Sequence, residues 1–207
     1  MLVHGEQKLV IHKPLSAEGR VETSTRVIQI LDKGADKGAI MYRERKMTCG
    51  ITGDALATLG ESFFLRGSGG FGGQPGPTPP AHTLPEREPE ESLDIATLPQ
   101  AALIYRLSGD YNPLHAEPAF AARAGFDKPI LHGLCSFGVT CRAVLKTYCG
   151  GVPERLKSIQ VRFSAPVFPG ETIRTEMWRD GSEVSFRARV VGRGVLVINN
   201  GKAEIAD

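Results

Sequence analysis

Six apolar residues, Leu134, Phe137, Cys141, Val144, Leu145 and Tyr148, recur at offsets of 0, 3, 7, 10, 11 and 14. That spacing is one face of a helix, and it is the one long helical pattern in the 207 residues. From about 132 to 148 such a helix would be roughly 25 Å long. Four strand-like runs follow it, at 157–165, 171–179, 183–191 and 195–206, separated by Pro169-Gly170, Asp180-Gly181 and Gly192-Arg193-Gly194. Asp-Gly between alternating runs is a strong hairpin signal. A single long helix followed by an antiparallel meander predicts an α+β fold whose sheet wraps the helix.

The first sixty-odd residues predict strands and no long helix. KLVIHKPL, from Leu9 onward, is a short apolar run, and VETSTRVIQI is rich in β-branched residues. Asp32-Lys33-Gly34 closes that second run; 39–48 reads as a third strand, a polar stretch to Gly60 has no clear pattern, and 61–66 reads as a fourth. Composition then shifts: six glycines fall between 67 and 76, and seven of the fourteen prolines between 75 and 99. At that density of breakers no regular element is expected, only a linker or an ordered overhanging loop. Gly69-Gly70-Phe71-Gly72-Gly73 does not read as a phosphate loop, because no strand–helix frame and no Gly-Lys-Ser/Thr follows.

A net charge of +2 and the absence of a basic run argue against nucleic acid as a partner. No apolar stretch approaches the ~18 residues of a membrane span. The start, MLVHGEQKLV, lacks the order of a signal peptide, and the end, EIAD, is not a Ser-Lys-Leu address, so the expected location is cytoplasmic, with the peroxisome as the alternative. Cys49, Cys135, Cys141 and Cys149 show neither C-x-x-C nor metal spacing and are expected to be reduced and structural.

Chemistry concentrates between Tyr105 and Tyr148. Asp110 and His115 flank Tyr111-Asn112-Pro113-Leu114, and Asn-Pro favours a turn that brings a carboxylate and an imidazole to one side of the backbone. Such a pair suits proton transfer in both directions. Short helices are expected at 100–107 and at 118–124, the second opened by Pro118 and closed by Gly125. His132-Gly133 falls at the start of the long helix, where N–H groups are unpaired and a glycine allows a ligand oxygen close approach.

The blocks YRLSGDYNPLHAEP (105–118) and GFDKPILHGLC (125–135) resemble the hydratase-2 motif of the MaoC-like hotdog family, in particular its (3R)-specific 2-enoyl-CoA hydratases. The likeness extends from VHGEQ (3–7) to the last strand. It implies a double hotdog: 1–66 a partial N-terminal hotdog without its helix, 67–99 a linker, and 100–207 the catalytic hotdog. It also implies that Asp110 and His115 orient one water and shuttle its proton. Asn112 would hold the turn or the water, and the Gly133 N–H would receive the thioester oxygen. Tyr111, Pro113 and Leu114 would line the substrate, while His4, Gly5, Lys33 and Phe163 would contact its CoA part. Glu117 stands where the family often has Asp. The resemblance calls for an acyl-CoA thioester as substrate, no metal, no separate cofactor, and a homodimer or higher homo-oligomer. Two alternatives stay open: a dehydratase acting on another acyl thioester, carried by acyl-carrier protein or branched, and a non-catalytic acyl-CoA-binding subunit. His132 reads as structural at least as much as catalytic; His12 is expected to be exposed on a strand, and His82 solvated in the linker.

Overall fold

The computed structural model describes residues 2–206. Nine strands form one sheet: β1 (Leu2–Ile11), β2 (Val21–Asp32), β3 (Ala39–Cys49), β4 (Ala55–Leu65), β5 (Glu91–Ala96), β6 (Leu156–Phe163), β7 (Thr172–Asp180), β8 (Glu183–Val190) and β9 (Val195–Ile205). Their order is β2-β3-β4-β1-β6-β9-β8-β7-β5, with antiparallel pairing between each strand and its neighbours. The β1–β6 ladder, with Gln7 opposite Val161 and Leu9 opposite Ile159, joins the first four strands to the rest. Three α-helices interrupt the strands, α1 (Ala101–Tyr105), α2 (Pro118–Arg123) and α3 (Gly133–Tyr148). An α+β hotdog results, with α3 lying on β5, β6, β7 and β9.

Several elements differ from the sequence expectation. β1 begins at Leu2 rather than Leu9, since polar His4 and Gln7 point into the protein and hide the alternation. β4 begins at Ala55, so the stretch without a pattern is its first half. Within 67–99, where the sequence predicts no regular element, Glu91–Ala96 pairs with β7 as an edge strand. The rest of that segment is fastened to the outer face of the sheet: Trp178 Nε1 donates to the Arg87 carbonyl at 2.7 Å, and Asn200 Nδ2 to the His82 carbonyl at 2.8 Å. His82 is consequently not solvated; its Nε2 lies 2.8 Å from Ser185 Oγ. His12 is exposed as expected, but it follows β1 instead of lying within it.

The hydrophobic core gathers between α3 and the C-terminal strands, around Ile159, Ile173, Met177, Val184, Phe186 and Ile198. The fully buried line of α3 is Ser136, Thr140, Ala143 and Val144, offset from the large apolar stripe. Small residues where the two surfaces meet let the helix approach the sheet, and Phe137, Cys141, Leu145 and Tyr148 pack at its flanks. On the other side, β2 is exposed from Val21 to Ile30. The described α-helices all lie between 101 and 148.

Candidate active site

The Asp110–His115 turn is built by local chemistry. Gly109 takes φ +106° and ends the helical stretch that α1 begins. The Asp110 carboxylate accepts the Asn112 N–H at 3.2 Å, and the Asn112 side-chain oxygen accepts the Leu114 N–H at 3.1 Å. Two successive side-chain turns of this kind replace a regular ladder. Asn112 therefore holds the turn, and Pro113 starts the single 3₁₀ turn that carries His115.

His115 Nδ1 lies 2.8 Å from the Ile130 carbonyl. A carbonyl only accepts, so Nδ1 carries the proton and Nε2 keeps a lone pair. Burial pushes His115 below the ordinary imidazole range, opposed by the Ile130 carbonyl and the Asp110 carboxylate. The balance of these effects favours the neutral imidazole. An Asp110 oxygen and ring nitrogens of His115 and His132 all lie within 4.8 Å of one another. Among the described residues this is also the triple of donors spaced to share a cation.

His132 contributes more than the sequence suggests. It is 1% exposed, its Nε2–H donates to the Asp110 carbonyl at 3.2 Å, and its ring stacks on His115 with centroids 3.7 Å apart. Tyr105 closes the far side at 4.7 Å. Burial, then the neighbouring His115, lowers the His132 pKa. Its Nδ1 is buried and has no hydrogen-bond partner among the described residues. His132 thus ties the Asp110–His115 turn to the start of α3. The only sequence signal for this is a histidine adjoining a helix start within the long motif.

The first hydrogen bonds of α3 are Cys135 N–H and Ser136 N–H to the His132 carbonyl, at 3.1 and 3.2 Å. The N–H groups of Gly133 and Leu134 precede that ladder and carry the positive end of the helix dipole. A Cβ on Gly133 would sit 3.4 Å from the Phe163 ring, so Phe163 floors this corner. Phe163 meets His4 at 5.0 Å, His4 stacks on Phe63 at 4.9 Å, and Phe63 carries Arg43 over its ring at 4.8 Å. Arg43 in turn pairs with the buried Glu61 at 2.7 Å. Burial lowers the His4 pKa, partly countered by Glu61.

His4 and Phe163 are thereby brought to the site, as are Pro113 and Leu114 on the turn itself. Tyr111 is 62% exposed and packs beside Arg106. Gly5 is not at the site surface: it is a buried bulge residue whose Cβ would meet Phe64 at 2.8 Å. Lys33 lies apart from the Asp110 cluster, on the β2–β3 turn, with its ammonium donating to the Pro75 carbonyl.

An antiparallel sheet wrapped on one helix, with a carboxylate and two imidazoles gathered at that helix's start, defines the hotdog class. The chain belongs to the MaoC-like domain family, whose model matches residues 80–201; residues 1–67 match the MFE-2 hydratase 2 N-terminal domain. It is 44% identical over 209 residues to 3-hydroxyacyl-thioester dehydratase Y of Mycobacterium tuberculosis, covering 98% of this chain and 72% of that one. It is 41% identical over 208 residues to probable enoyl-CoA hydratase 2 of Dictyostelium discoideum, covering 99% and 70%. A crystal structure of a MaoC-like dehydratase from Phytophthora capsici superposes with a TM-score of 0.92 at 42% identity, covering 100% of this chain and 72% of that one. The chain spans about a quarter of the multifunctional peroxisomal relatives, 23% and 27% of their lengths.

Proposed function

We propose that this chain adds water across the double bond of a trans-2-enoyl-CoA to give the (3R)-3-hydroxyacyl-CoA, and catalyses the reverse dehydration, in fatty-acid metabolism. The carrying observation is the convergence of the Asp110 carboxylate and the His115 imidazole within 4.8 Å, beside a helix start with two N–H groups outside the ladder. Water held between the two side chains attacks C3 as its proton passes to His115 Nε2, with Asp110 orienting the water. A proton is returned at C2 from the same pair. As C2 gains carbanion character, negative charge grows on the thioester oxygen, which the Gly133 N–H receives. Fixed donors of this kind are often the largest single term in such catalysis.

Relatives named for the hydratase and for the dehydratase describe the two directions of one equilibrium. Lys33 and His4 are assigned to the CoA part of the substrate. The working state is a homodimer or larger assembly, in the cytoplasm or, as for the relatives named peroxisomal, in the peroxisome. No helix among the described residues is long and apolar enough to cross a membrane.

The test is loss of the enoyl-thioester absorbance with crotonyl-CoA and with a C10 enoyl-CoA, the product then offered to an (S)-specific dehydrogenase. Turnover abolished by Asp110→Asn and by His115→Gln, with product that the dehydrogenase ignores, is expected. Folded wild-type protein that leaves both substrates untouched would overturn the proposal.

A further inference from the structure

A buried carboxylate must be compensated by donors, and that of Asp32 takes all of its donors from the backbone. Asp32 is 7% exposed. Its Oδ1 accepts the N–H groups of Gly34 at 2.9 Å and Gly70 at 2.7 Å; its Oδ2 accepts those of Gly72 at 2.8 Å and Gly73 at 3.2 Å. Its own N–H donates to the Gln74 carbonyl at 2.9 Å. Gly69 lies flush on the β2–β3 turn, where a Cβ would fall 2.2 Å from the Gly34 carbonyl oxygen. The glycine-rich stretch, which the sequence predicts only as a loop, is thus wound around one acid.

The consequence concerns the neighbouring cations. Lys33 and Lys37 border a cavity of about 500 Å³ whose other walls include Ile40, Phe64 and Pro75. Asp32 stands next to them but commits its oxygens to glycine N–H groups, and neither lysine makes an ion pair among the described residues. Lys33 is instead aimed by the Pro75 carbonyl, at the end of the same wound segment. Two ammonium groups without an ion pair, over an apolar floor, suit a phosphate ester with a planar or apolar body. β1 links the cavity to the reaction centre by a chain of contacts: Gly5 packs on Phe64, and His4 beside it meets Phe163.

We infer that Asp32 is a positioning residue for the carrier end of the thioester. Its carboxylate builds the 69–75 segment, that segment fixes Lys33, and the lysines hold the carrier's phosphates. This rests on the acyl-CoA reading above.

Steady-state kinetics on crotonyl-CoA and on crotonyl-pantetheine, which lacks the nucleotide, separate the two ends of the substrate. Asp32→Asn is expected to raise KM for crotonyl-CoA about tenfold, the scale of one charge-assisted hydrogen bond to a phosphate. Its kcat should stay within about twofold and its crotonyl-pantetheine kinetics should not change, as expected for loss of binding alone. Gly70→Ala, at an exposed position with φ +82° whose Cβ would press on Ala35 at 3.1 Å, disturbs the same clasp far from the core and should give a smaller split of the same kind. The double variant Asp32→Asn/Lys33→Ala should lose less than the sum of the single losses. Equal effects on both substrates, or unchanged KM in both Asp32→Asn and Gly70→Ala, would overturn the inference. Should wild type hydrate neither substrate, calorimetric binding of coenzyme A decides it: weaker binding by Asp32→Asn supports the positioning role, and equal binding refutes it.

Discussion

Replacing His132 by Leu tests whether this residue aims the catalytic turn or takes part in the proton transfer. The substitution removes the N–H donated to the Asp110 carbonyl and the ring stacked on His115, while keeping comparable bulk at a site 1% exposed. One neutral hydrogen bond is worth about 1 kcal/mol net, and an aromatic stack adds about 1 kcal/mol. Together they correspond to a fall in Tm of about 4–8 °C for a chain of this size. Freed from α3, the 109–115 turn would drift, and a misplacement of about 1 Å costs on the order of a hundredfold in rate. Stopped-flow and steady-state hydration of crotonyl-CoA should show kcat down about a hundredfold with KM within about twofold, the mark of an interaction that matters in the transition state alone. His132→Gln, whose amide N–H can reach toward the same carbonyl, should recover most of that loss. Wild-type kcat in His132→Leu would refute the positioning role. A His132→Gln enzyme as slow as His132→Leu would refute the hydrogen bond as its means.

The acid limb of the kcat/KM profile should have its midpoint below 6.5, because burial lowers the His115 pKa and the base is lost only as pH falls through that lowered value; a limb centred above 6.5 would contradict a buried neutral base. Stability shares the sign: His4, His115 and His132 all bind protons less readily folded than unfolded. The unfolding free energy should therefore decline as pH drops from about 6.5 through that window, as read by denaturant titration at several pH values. Gly133→Ala should fold normally, since its methyl would rest 3.4 Å from Phe163, yet lose about tenfold in kcat/KM as the methyl intrudes on the thioester oxygen's site. Gly5→Ala should lower stability by about 1–3 kcal/mol through overpacking, its Cβ falling 2.8 Å from Phe64 and 2.9 Å from Ser62; an unchanged Tm would show that the bulge repacks freely.

What the sequence determined by itself was whatever forms within a few residues. Asn112-Pro113 makes its own side-chain turn, Gly125 and Gly181 adopt positive φ where the short helix and the Asp-Gly hairpin need it, and α3 starts at His132-Gly133. Those rules, with the long motif from Tyr105 to Cys135, made the Asp110–His115 pair and the α+β class legible from the chain alone. Only the tertiary structure decided what depends on residues far apart. His132 reaches back twenty-two positions to the Asp110 carbonyl, and Asp32 gathers N–H groups about forty positions away. Glu91–Ala96, in a segment too rich in proline to read as a strand, gains its order from β7. The buried line of α3 falls on Ser136, Thr140 and Ala143, since close approach to a sheet selects small residues over large apolar ones. Local propensity and spacing carry no record of such partners; sheet register and burial bring them together, and their hydrogen bonds exist only once water has been excluded.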